Sequence, residues 1–163
     1  MKTLAVTAVA LSALGFANIA HAQQAGKLFF EGDIVRGAQT GAPGPFCVLN
    51  NQFKRQEKVV FRIRALDGTG KSLDDKGALK SVVIELSNGQ KLPAYYGPHP
   101  PQGTPADFFW TAAWIVPTDY PTGTFAFKVV ATDQQGQSQT WEPFKRPSSQ
   151  FTVVAGQIEI KKP

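Results

Sequence analysis

The sequence predicts an all-β fold: a two-layer antiparallel sandwich of seven or eight strands. Three observations predict it. Beyond residue 22, apolar and polar residues alternate at period two in one segment after another. Glycine, proline, asparagine and aspartate separate those segments at short intervals, supplying turn chemistry. No stretch beyond residue 22 has the apolar spacing of an amphipathic helix.

Residues 1–22 read as an export signal. Lys2 gives the positive start, Leu4 to Ile19 the apolar run, and Ala20-His21-Ala22 a small-x-small cleavage site before Gln23. The alternative is an N-terminal anchor. It is disfavoured because the run is shorter than the roughly 20 residues a spanning helix needs and is broken by Ser12, Gly15 and Asn18. No membrane span is expected after cleavage. No cysteine follows the run to carry a lipid. The expected location is periplasmic or secreted, with residues 23–163 as a single domain.

Lys27 to Arg36 is expected to open the sheet. Gln39 to Phe53, rich in Gly, Pro and Asn, reads as a long loop carrying Cys47, and long loops are often functional. Val59, Phe61 and Ile63 fall on one face of a strand, Arg62 and Arg64 on the other. Asp67-Gly68-Thr69-Gly70 ends it. Ser81 to Ser87 alternates again, with Val82, Ile84 and Leu86 inward. Asn88-Gly89 then signals a hairpin, since both residues tolerate positive φ. Lys91 to Tyr96 is the return strand. Pro93 cannot donate to a ladder, which places this strand at an edge. A proline-rich loop follows from Gly97 to Ala106. Phe109 to Val116 is an aromatic strand whose Trp110 and Trp114 are expected in the core. Pro117 to Gly123 turns a corner. Thr124 to Asp133 reads as one strand, with Phe125, Phe127, Val129 and Ala131 inward. Ser138 to Phe144 and Gln150 to Val154 complete the sheet, leaving a short tail from Ile158.

Composition bounds the function. Of 17 basic residues one, Lys2, lies in the signal, which holds none of the 12 acidic ones, so the mature charge is 16 − 12 = +4. That favours a partner with an acidic face. The cations are scattered, giving no support for nucleic-acid binding. The single cysteine allows no internal disulfide, and no Cys-x-x-Cys-His run offers haem attachment. Only His99 and Cys47 remain as soft or borderline metal ligands after cleavage. That is one histidine short of a blue-copper set and two ligands short of structural zinc. The expectation is therefore no cofactor, a buried thiol at Cys47 and an exposed loop histidine at His99. With one histidine and no adjacent nucleophile, no catalytic triad is expected.

Aromatic and proline residues carry the functional signal. Tyr95, Tyr96, His99, Phe108 and Phe109 flank a segment with prolines at 98, 100, 101 and 105. Rings held by rigid backbone lose little entropy on binding, so these five residues are the candidate partner-binding site. The competing reading is that the rings fill the end of the core.

Asp119-Tyr120-Pro121-Thr122-Gly123-Thr124-Phe125, followed by Val129-Val130-Ala131-Thr132-Asp133 and Gly136, resembles the end of a bacterial immunoglobulin-like or fibronectin-III-like domain. The match covers roughly Glu57 to Val154. It implies the sandwich and leaves function open, because that fold hosts many roles. The chain departs from antibody domains in lacking paired cysteines.

Together these features point to a non-catalytic exported binding domain, an accessory subunit or partner of a periplasmic enzyme or electron-transfer complex. A carbohydrate-binding or adhesion module is the alternative, for which an exposed planar row of tryptophans would speak. A weak copper- or zinc-handling protein using Cys47 and His99 is the third reading. Mass spectrometry of exported protein should find Gln23 at the N-terminus. Retention of Leu4 to Ile19 in mature material would overturn the signal assignment.

Overall fold

The structure, a computed structural model, describes residues 26–42, 44–99, 107–143 and 150–158. The signal segment, Gln23, the loop prolines 100, 101 and 105, Phe144 and the tail beyond Ile158 lie outside the described residues. No helix among the described residues is long and apolar enough to cross a membrane.

The chain is all-β. Seven strands form one antiparallel sheet: β1 (Phe29–Arg36), β3 (Lys58–Leu66), β6 (Asp107–Ile115), β5 (Lys91–His99), β4 (Leu79–Leu86), β8 (Phe127–Asp133) and β9 (Ser138–Trp141), in that spatial order. A second sheet holds β2 (Gln52–Arg55), β10 (Phe151–Gln157) and β7 (Gly123–Phe125), with β10 parallel to β2 and antiparallel to β7.

The large sheet curls until its halves face each other. Phe61 on β3 meets Phe127 on β8 edge to face, with ring centroids 5.0 Å apart. It also meets Phe151 of the small sheet at 6.1 Å. Such contacts need the rings to approach across the interior, because β3 and β8 are not ladder neighbours. The two end strands, β1 and β9, come together through side chains. Phe30 stacks on Trp141 at 5.9 Å. Gln139 accepts from the Leu28 amide and donates to the Gly26 carbonyl. Gly32 makes this seam possible, because a Cβ there would stand 2.7 Å from Ile63 Cδ1 and 3.0 Å from the Trp141 ring.

Alternation assigns the faces as the sequence predicts. Val59, Phe61, Ile63, Val82, Ile84, Phe127, Val129 and Ala131 all lie in one core with Trp110 and Trp114. Several expectations need correction. The described residues hold ten strands rather than seven or eight. One addition is β2, which starts at the end of the expected loop and runs two residues past it. The other arises because Thr124 to Asp133 is two strands: Phe125 pairs with Phe151 in the small sheet while Phe127 pairs with Leu86 in the large one. The backbone changes sheets at Ala126, whose carbonyl accepts from Ser87. Likewise β10 does not complete the large sheet but forms the middle of the small one, and one of its pairings is parallel.

Pro93 does not mark an edge strand, since β5 lies between β4 and β6. The reason is that β5 changes partner along its length. Lys91 to Ala94 pair with β4, and Tyr95 to His99 pair with β6. Pro93 therefore sits where the β6 side carries no ladder, and its missing N–H leaves no bond unmade. In the Asn88-Gly89 hairpin only Gly89 is left-handed, with φ 87°. Its amide donates to Leu86 while Asn88 accepts from Gln90.

Phe127→Ala should destabilise by about 3–5 kcal/mol, because the ring is buried against Phe61. Lys128→Ala removes only an exposed ion pair with Glu85 and should cost under about 0.5 kcal/mol. Chemical denaturation of both variants checks the register; equal losses would refute it.

Candidate functional site

The five candidate residues lie on the paired halves of β5 and β6, which extends the expected strands to take in His99 and Phe108. Strand pairing there runs Tyr95 with Thr111, Tyr96 with Trp110, Gly97 with Phe109, Pro98 with Phe108, and His99 with Asp107. Directly paired residues share a face and successive residues alternate. The five therefore separate. Tyr95, His99 and Phe109 lie on the outer face. Tyr96 and Phe108 lie on the same side as the buried Trp110.

Tyr96 packs against the core, with its ring 5.4 Å from Trp110 and 5.8 Å from Phe108. Phe108 stands at the open end of that inner side and remains 48% exposed. Tyr95 is 73% exposed. His99 is half-buried rather than water-exposed as expected, because its ring stands edge-on to Phe109 at 6.2 Å.

Around Phe109 the outer face carries a charged cluster. Arg62 and Arg64 both lie over its ring, at 5.3 and 4.8 Å from the centroid, within cation–π range. Strand pairing sets Asp33 opposite Arg62 and Glu31 opposite Arg64. Arg62 makes a forked pair with Asp33, its Nε donating to Oδ1 at 2.7 Å. That bond raises the Arg62 pKa above its ordinary value, against the opposing effect of burial. Arg64 joins Asp107 at 3.0 Å and Glu31 at 3.9 Å. These residues and Gly32 line a shallow outer depression of about 400 Å³.

His99 borders this cluster. Its Nε2 is buried without a hydrogen-bond partner, and its pKa is lowered by burial first and by the Arg62 charge second. Burial and the neighbouring guanidinium thus both favour the neutral imidazole. Among the described residues, no group of three His, Cys, Asp or Glu side chains is placed to hold a metal ion.

Cys47 is exposed, not a buried thiol. It has left-handed φ of 58°, and its amide donates to the Arg36 carbonyl. With Arg36 donating to Val48 and Asn50 to Ile34, residues 47–50 cover part of the outer edge of β1. Tyr120, in the corner before β7, is buried against Trp114 and Phe125, and among the described residues its hydroxyl has no hydrogen-bond partner. It anchors by packing.

Reasoning from sequence missed Glu31, Asp33 and Asp107 as members of the outer cluster. The signal was present in the alternation: acids at 31 and 33 on one strand, arginines at 62 and 64 on another. Comparisons with protein-family models, curated proteins and solved structures return no match.

The pH response of His99 can be stated with its sign. The unfolded histidine protonates near pH 6.5 and the folded one at lower pH. The unfolded state therefore binds more protons between those values, and stability falls as pH drops through that window. Above about 6.5 the effect vanishes. NMR titration of the His99 ring should give a midpoint below 6.5, and His99→Gln should remove this part of the acid destabilisation. A midpoint at or above 6.5 would contradict the burial of Nε2.

Proposed function

We propose that this chain is an exported, non-catalytic binding domain of immunoglobulin-like or fibronectin-III-like type. Its partner is another exported protein, such as a periplasmic enzyme or electron-transfer complex. Strand order supports the fold reading. Setting aside the three short strands β2, β7 and β10, the others lettered A to G along the chain lie in the order A-B-E-D-C-F-G. The same order would result from joining the A-B-E-D and C-F-G sheets of an immunoglobulin sandwich edge to edge, here where β5 changes partner.

The observation that carries the functional reading is the outer face of β5 and β6. Tyr95 is the most exposed large aromatic among the described residues, beside Phe109 fixed under two arginines. Tyrosine and arginine are the side chains that most often dominate interfaces. The arginines are already held by their carboxylates, so little freedom is lost on binding. The patch itself holds two arginines against Glu31, Asp33 and Asp107, a sum of 2 − 3 = −1 with His99 neutral. Ring contact therefore supplies local attraction, and the mature charge of 16 − 12 = +4 steers an acidic partner from a distance.

The carbohydrate alternative has less support. All three tryptophans face the interior: Trp110 and Trp114 are buried and Trp141 packs on the core. None is left to form a planar sugar-stacking row.

Tyr95→Ala combined with Phe109→Ala should weaken capture of a partner from periplasmic extract at least tenfold, with the melting temperature nearly unchanged. Tyr96→Ala should instead lower stability by about 1–3 kcal/mol, because its ring packs on Trp110. Full-strength capture by the folded double variant would overturn the site.

A further inference from the structure

We infer that the open end of the curled sheet is a binding site for a small organic cation with an apolar tail. This is independent of the partner-binding reading, because the cavity lies on the inner side of the sheet and the aromatic patch on its outer face. The cavity measures about 490 Å³, within the range that small-molecule sites occupy. Leu28, Leu73 and Leu79 provide its apolar wall. Leu79 belongs to the core itself, so a bound tail would rest on the hydrophobic interior.

Two matching turns supply the charge. Asp67 and Asp133 each end a strand and each receive the amide of the glycine three residues on, Gly70 or Gly136. In each case Oδ1 accepts from the backbone amides two and four residues ahead: Thr69 and Lys71 for Asp67, Gln135 and Gln137 for Asp133. Both aspartates line the cavity, and among the described residues no lysine or arginine does, although the Lys71 charge acts on Asp67 from outside the lining. Asp133 is only 8% exposed, and its Oδ2 is buried with no hydrogen-bond partner. An enclosed carboxylate oxygen with nothing donating to it is costly. A ligand ammonium at this end supplies the missing countercharge, and the side-chain amides of Gln135 and Gln137 around the rim offer carbonyls to its remaining protons, while Gln139 is held by Leu28 and Gly26.

The probe is n-hexylammonium, with n-hexanoate as the control of equal length and opposite charge. Titrated into the protein spanning residues 23–163, hexylammonium should shift the amide NMR signals of Leu28, Leu73 and Gln137 saturably. It should also shift the Trp110 indole N–H, which donates to the Leu73 carbonyl. Hexanoate should not. Asp133→Asn keeps an Oδ1 to accept the turn amides but removes the charge, and should weaken binding at least tenfold. Should that variant misfold, Gln135→Lys places a resident ammonium at the rim through an exposed side chain and should block the probe in a folded protein. Equal shifts with hexanoate, shifts confined to other residues, or undiminished binding by the folded variants would overturn the inference. So would calcium ions alone producing the same saturable shifts, since a metal site needs no tail.

Discussion

The structure depends on one side chain that touches three layers. Phe61 packs against Phe127 from the opposite half of the large sheet and against Phe151 from the small sheet. Each of these contacts closes a different part of the fold. The first holds the curl; the second fixes the small sheet over the core. Through Phe151 the contact network continues to Trp114 and Phe125, and from these to Tyr120. The corner before β7 is thereby tied to the centre of the molecule by rings in mostly edge-to-face geometry, which aromatic pairs prefer.

Curling also decides what the surface can do. With Trp110, Trp114 and Trp141 all committed to the interior, the outer face is left to Tyr95, Phe109 and a lattice of alternating charges. The lattice follows from strand register alone. An antiparallel pairing that sets Asp33 opposite Arg62 also sets Glu31 opposite Arg64, because period two is the same on both strands. A one-residue slip would turn these groups into the core, so the register that buries Phe61 and Ile63 is the one that displays the arginines.

Much of the fold was legible in the chain because period-two patterning is a local signal. It placed Val59 to Arg64, Ser81 to Leu86 and Phe127 to Ala131 on their correct faces. What escaped it depended on partners distant in sequence. The break at Ala126 and the parallel pairing of β2 with β10 are set by neighbours the pattern does not contain. Pro93 misled for a similar reason: its chemistry forbids a ladder bond, but only the switch of partner along β5 shows that none is required there. At the candidate site, ring content was readable while the division into two faces was so only in part. Tyr95 and Tyr96 already alternate on the predicted strand, but His99 joins that alternation only because β5 runs on past Tyr96 to residue 99.

The small sheet has a consequence for the order of folding. Its middle strand, β10, is the last strand among the described residues, and both of its neighbours come from upstream. Neither β2 nor β7 has a ladder partner in that sheet until residues 151–157 exist. A nascent chain lacking them cannot complete the layer that covers Phe61, whatever the rest has done. Such long-range closure is slow and comes late, which suits a polypeptide proposed to cross a membrane before it acquires its final shape.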